Sequence, residues 1–111
     1  MQGIVQRSEA LSGIFAALGD PTRLKLVALL CAGGAFSIAH LTESTDISRQ
    51  GVTKHLRVLA DAGVVRDVKR GRERLWQLEP DRLDDARRAL EIIGRQWDEA
   101  LDRLKAFVES D

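Results

Sequence analysis

The sequence predicts a mainly α domain that carries one small β-hairpin. Three observations lead there. Apolar residues recur at helical spacing through most of the chain, and Gly and Pro interrupt them at helix-length intervals. Only one stretch, Val64 to Lys69, alternates in twos, and it runs into the turn residue Gly71. With 111 residues the chain holds one domain's core and no second one.

The elements follow in order. Leu11, Ile14, Phe15 and Leu18 predict a first helix from about Ser8 to Leu18, ended by Gly19. Asp20-Pro21 supplies an N-cap acid and a proline at the first helical position, so a second helix starts there. Its inward residues are expected to be Leu24, Val27, Leu30 and Cys31, and Gly33-Gly34 stops it. Ser37 caps a short third helix to Ser44, with Ile38 and Leu41 inward. After a turn at Thr45, Asp46 and Ile47, Ser48 caps a fourth helix with Val52, Leu56 and Leu59 inward, closed by Ala62-Gly63. Two short helices joined by a tight turn, the second one basic, make a helix-turn-helix over 37–62. A hairpin over 64–79 comes next, with its turn at Arg70-Gly71-Arg72-Glu73 and a return strand from Arg74 to Leu78. Pro80 breaks that strand, and an acid-rich helix occupies 81–110.

This last helix has the cleanest periodicity in the chain. Leu83, Ala86, Leu90, Ile93, Trp97, Ala100, Leu104 and Phe107 alternate three- and four-residue steps, with Leu101 beside them. Such a stripe suits packing along a helix of similar length, and no other predicted helix is that long. A second copy of the same helix is the natural partner, which predicts a homodimer. Packing of the stripe on the first helix within one chain is the alternative, and Gly94 is a place for a break or kink.

Net charge is zero, with 17 basic and 17 acidic residues, which argues against a generally basic coat. The charge is nevertheless unevenly placed. Ser48 to Arg74 holds eight Lys/Arg against three acids, net +5, while Leu75 to Asp111 is net −4. One basic segment on a neutral protein gives a directed field suited to a polyanion; a solvated basic helix and hairpin would read the same. A single cysteine excludes an intrachain disulfide and a cysteine-only metal site. No apolar run approaches the roughly 18 residues of a membrane span. The amino-terminal residues lack the basic-then-apolar order of a secretory signal, so a cytoplasmic protein with a reduced thiol and no membrane contact is expected. There is no Gly-rich phosphate loop, nucleophile elbow or HExxH, so no enzyme and no cofactor is expected.

ALGDPTRLKLVALL at 17–30, ISRQGVTKHLRVLADAGVV at 47–65 and VKRGRERLWQLEP at 68–80 together resemble the ArsR/SmtB family of winged helix-turn-helix repressors. The likeness covers about residues 11–80, and IGRQWDEALDRLKAFVE further resembles a subgroup without metal sites. The resemblance implies a homodimer, joined through its first and last helices, that binds double-stranded DNA at an operator and represses transcription until an inducer releases it. The interface residues this implies are Leu11, Phe15, Leu90, Ile93, Trp97, Leu101 and Leu104.

In such a fold the first turn of the recognition helix reaches base edges. Arg49, Gln50 and Thr53 stand there, with phosphate contact as the alternative for the first two. Ser48 caps the helix and touches phosphate, and Lys54 and Arg57 contact phosphate further along, although a solvated Arg57 fits equally well. His55 is expected either on a phosphate or in a structural hydrogen bond. Arg70 and Arg72 mark the wing tip, over the neighbouring minor groove or backbone, and Trp76 is expected to pack the wing on the domain. Metal sensing is not expected, because the third helix lacks cysteine and the last lacks histidine. Cys31 reads as a small core residue, and His40 as exposed. An unidentified small-molecule inducer could take a pocket near Phe15, Ile93 and Trp97, although dimer core is the favoured reading of these residues. The rival from another class is a winged-helix protein-interaction module with no operator of its own.

Overall fold

The structure is a computed structural model that describes residues 2–110, with side chains described from residue 8. Among the described residues the order is α1 (Gln2–Leu18), α2 (Pro21–Gly33), α3 (Ile38–Glu43), α4 (Arg49–Asp61), β1 (Val65–Arg70), β2 (Glu73–Leu78) and α5 (Pro80–Glu109). α1 therefore begins well before Ser8.

The three expected caps form. Asp20 accepts from the backbone N–H of Thr22 and Arg23, Ser37 from that of His40, and Ser48 from that of Gly51. Each satisfies donors that a helix start leaves without intrahelical partners. α3 and α4 are joined through Thr45, which is buried and donates its hydroxyl to the Leu41 carbonyl at 3.0 Å. Gly34 ends α2 at φ 90°, its N–H on the Leu30 carbonyl.

One core unites Ile14 and Ala17 of α1, Leu26 and Leu30 of α2, Leu41 of α3, Val52, Leu56 and Leu59 of α4, Val64, Val65, Trp76 and Ala86. The expected inward face of α4 is correct: its three residues have no exposed surface. That of α2 is partly wrong. Leu24 is 52 % exposed and Cys31 is exposed, whereas Leu26 is completely buried. The run Leu24 to Cys31 is apolar at every position except Lys25, so periodicity could not choose a face; packing against α1, α4 and β2 did.

β1 and β2 pair antiparallel from Val65↔Leu78 to Arg70↔Glu73. The connection is thus two residues, Gly71-Arg72, and Glu73 belongs to the returning strand instead of the turn. Gly71 has φ 67° at the first central position, as a type II′ hairpin turn requires. Trp76 is 8 % exposed, and its backbone exchanges hydrogen bonds with Phe36 at 2.8 and 2.9 Å. That bridge anchors the wing to the loop before α3, as expected for Trp76.

β2 ends at Leu78, before Pro80, and Pro80 itself opens α5 one residue ahead of the expected Asp81, since proline suits a helix's first position. The helix then runs unbroken through Gly94, which has open space around it. Leu83 and Ala86 pack against the core and α1, while everything from Leu90 onward stands free. Intrachain packing and an unpartnered stripe therefore occupy different thirds of one helix. The molecule extends 67 × 35 × 20 Å.

Candidate nucleic-acid interface

α4 presents its cations because its apolar face is committed to the core. Ser48, Arg49, Gln50, Lys54 and Arg57 are exposed, and Thr53 is half-buried. The close first turn depends on Gly51, which the sequence analysis did not single out: a Cβ there would lie 2.6 Å from Ile47 Cγ2 and 3.3 Å from Ser48 Oγ. Thr53 donates its hydroxyl to the Arg49 carbonyl at 2.9 Å, which leaves the oxygen able to accept a further hydrogen bond.

His55 faces inward from this surface toward the start of α2. Its Nδ1 lies 3.5 Å from Arg23 Nη1 and 4.0 Å from Asp20 Oδ2. Arg23 also donates through Nε to the Ala17 carbonyl and through Nη2 to that of Ala16, at the end of α1. The backbone N–H of Arg23 and the nearby guanidinium hold the Asp20 carboxyl below its usual range. Asp20 was legible as a cap but Arg23 was not, because a separation of 32 positions between Arg23 and His55 leaves no local signal.

On the wing the count of cations overstates the free charge. Arg66 pairs with Glu79 and Arg74 with Asp67, each at 3.1 Å. Lys69, Arg70 and Arg72 have no ion-pair partner among the described residues and are exposed. The positive surface is thus α4's outer side and the hairpin tip, and β1 packs directly against α4.

The helix-turn-helix and its hairpin match known proteins. A family model described as a helix-turn-helix domain matches residues 18–68. An ArsR-like transcriptional regulator from Rhodococcus sp. RHA1 superposes with TM-score 0.76 at 36 % identity, covering 94 % of this chain and 97 % of that one. This chain belongs to the ArsR family. The HTH-type transcriptional regulator Rv2034 of Mycobacterium tuberculosis is 35 % identical over 95 residues, 86 % of this chain and 85 % of that protein. The arsenical resistance operon repressor of Staphylococcus xylosus is 32 % identical over 84 residues, 76 % and 80 % of the two chains. As an ArsR-family winged helix-turn-helix regulator, the protein acts on transcription and is not an enzyme.

A second exposed surface, along α5, carries an apolar stripe. Leu90, Ile93, Trp97, Leu101 and Leu104 are 47–65 % exposed. Leu11 and Phe15 on α1 are half-buried against their own core. An open groove of about 430 Å³ between α1 and α5 is lined by Phe15, Leu18, Leu83, Ala86 and Leu90, with Arg87 and Glu91 at its edge. Ile93 and Trp97, expected beside Phe15 in an inducer pocket, do not line it. No helix among the described residues is long and apolar enough to cross a membrane.

Proposed function

We propose that this regulator is a homodimeric, metal-independent repressor that binds an imperfect palindromic operator. α4 enters the major groove, Arg49, Gln50 and Thr53 meet base edges, and Ser48, Lys54, His55 and Arg57 meet phosphates. Arg70 and Arg72 reach the neighbouring minor groove or backbone. The single observation that carries the reading is the concentration of unpaired cations on α4 and the wing tip of a protein with no net charge.

The dimer is supported by surface area. A compact 12.3 kDa monomer exposes roughly 6,100 Å², and this chain exposes 8276 Å². Its radius of gyration is 18.3 Å, against about 13 Å for a compact chain of this length. A second copy along the α5 stripe would cover the excess and the groove beside Phe15. Twofold symmetry would place two α4 helices about one DNA turn apart. The metal-independent reading rests on one cysteine in the whole chain and no histidine in α5. No inducer is assigned.

The test is enrichment of genomic DNA fragments by the purified protein, beside an Arg49→Ala/Gln50→Ala variant, at low and moderate salt. A palindromic site enriched by the wild type and lost in the variant is expected. With about four phosphate contacts per subunit, affinity falls roughly 10⁴-fold from 50 to 200 mM salt. Enrichment of nothing even at low salt overturns the operator reading and favours a protein-interaction module.

A further inference from the structure

Three helices meet at one polar cluster. Asp20 caps α2, Arg23 lies in the first turn of α2, and His55 lies on α4. Arg23 binds the last carbonyls of α1, at Ala16 and Ala17, and also reaches His55 Nδ1. A guanidinium only donates, so Nδ1 must accept from it. The neutral ring therefore carries its proton on Nε2. That atom has no partner among the described residues and is open to solvent.

We propose that Asp20 and Arg23 are positioning residues for the DNA-contacting helix: they hold His55 in the Nε2–H form and aim that N–H outward as a phosphate donor. This inference rests on the DNA-binding reading above. It assigns His55 both of the roles the sequence left open, one on each ring nitrogen. Nδ1 is the structural end and Nε2 the nucleic-acid end.

The same geometry makes the contact proton-dependent. When the ring gains a proton, Nδ1 must donate, and it can no longer face Arg23. Asp20 Oδ2, at 4.0 Å, is the acceptor within a small ring rotation. Among the described residues, the charged groups in hydrogen-bond or ion-pair reach of the ring are Arg23 and Asp20. On α4 itself the positions one turn away are Gly51, Val52, Val58 and Leu59. α1 offers carbonyls, and among the described residues no carboxylate of α3 or β1 comes within 4.0 Å of a ring nitrogen. The imidazolium keeps Nε2–H outward and adds a positive charge beside the phosphate, so protonation of the ring should raise DNA affinity.

Two measurements separate this claim from the DNA-binding claim. The first needs no DNA: long-range ¹H–¹⁵N NMR of the histidine rings in their neutral form. His55 should appear as the Nε2–H tautomer, and Arg23→Met, which keeps the stem and removes the donors, should shift it toward a mixture. A dominant Nδ1–H tautomer in the wild type overturns the proposal whether or not the variant folds. The second is affinity for the enriched DNA duplex from about pH 7.5 to about pH 6. The wild type and a His40→Gln control should tighten by roughly tenfold, the scale of one charge-assisted contact. His55→Gln, whose amide can replace the Nε2–H donor, should lose the pH dependence yet bind more tightly at neutral pH than His55→Asn, whose amide mimics Nδ1. Equal binding by these two variants at equal thermal stability, or the same pH dependence in wild type and His55→Gln, overturns the proposal. If the wild type binds no DNA, the operator reading fails and the tautomer result still decides the positioning claim.

Discussion

Trp97→Ala tests the α5 stripe where it is most exposed near its centre. Trp97 is 65 % exposed in the single chain. A tryptophan side chain offers roughly 200 Å², so about 130 Å² of it stands open for a partner to cover. At about 25 cal/mol per Å² that burial contributes ~3 kcal/mol per copy, of which the alanine methyl retains about 0.5. A twofold interface counts the loss twice, giving about 5 kcal/mol, or between three and four powers of ten in the dimer dissociation constant. This is the upper bound, because it takes burial as complete. Sedimentation equilibrium reads the constant directly. Ile92→Ala is the matched control: Ile92 is 49 % exposed but lies off the stripe, and its loss should leave the constant nearly unchanged. The reasoning is refuted if Trp97→Ala dimerises as tightly as the wild type, if Ile92→Ala is the more damaging change, or if the wild type sediments as a monomer at micromolar concentration.

Other outcomes follow from local geometry. Gly33→Ala should destabilise by about 1–3 kcal/mol, seen as a lower Tm, because a Cβ there overlaps the Phe36 ring, which is held by the bridge to Trp76. Ser48→Ala should cost about 1 kcal/mol of thermal stability by removing the α4 cap, besides weakening DNA binding. The lowered Asp20 carboxyl gives an acid limb with a definite sign. Backbone donation from Arg23 favours the ionised form in the fold, so its stabilisation is complete above the ordinary value of 3.8 and is lost as pH falls through the lower folded value. Acid unfolding curves of wild type and Asp20→Asn should differ in that window, with the variant lacking this share of the loss. Cys31 should react with a thiol reagent in the folded protein as fast as in the unfolded one, since it is exposed; marked protection would contradict its position.

Local signals carried far in this chain because the elements are bounded by local chemistry. Asp20, Ser37 and Ser48 cap helices through hydrogen bonds to donors two or three residues away. Such bonds are decided before any tertiary contact. The inward face of α4 was equally legible: its other positions are mostly polar or charged, so only one side could enter a core. Gly71 set the hairpin turn for the same kind of reason, needing only its own backbone.

What remained undecided was whatever depended on partners distant in sequence. α2 is apolar on nearly every side, and the core picked Leu26 and Leu30 over Leu24 and Cys31 because α1, α4 and β2 lie on that side. Counting cations could not tell that Arg66 and Arg74 are paired, because Glu79 and Asp67 become neighbours only across the hairpin and at its exit. The α5 stripe looked uniform, yet Leu83 and Ala86 are packed on the core beside α1, whereas the stripe residues from Leu90 onward are exposed. The meeting of Arg23 with His55 left no trace in either local pattern. The sequence by itself determined where α2, α3 and α4 start and stop, which side of α4 is apolar and where positive charge concentrates, since each depends on neighbours within a turn or two. Only the tertiary structure decided which apolar residues are core, which charges are free and which stripe residues lack a partner, because burial and pairing are properties of the assembled chain.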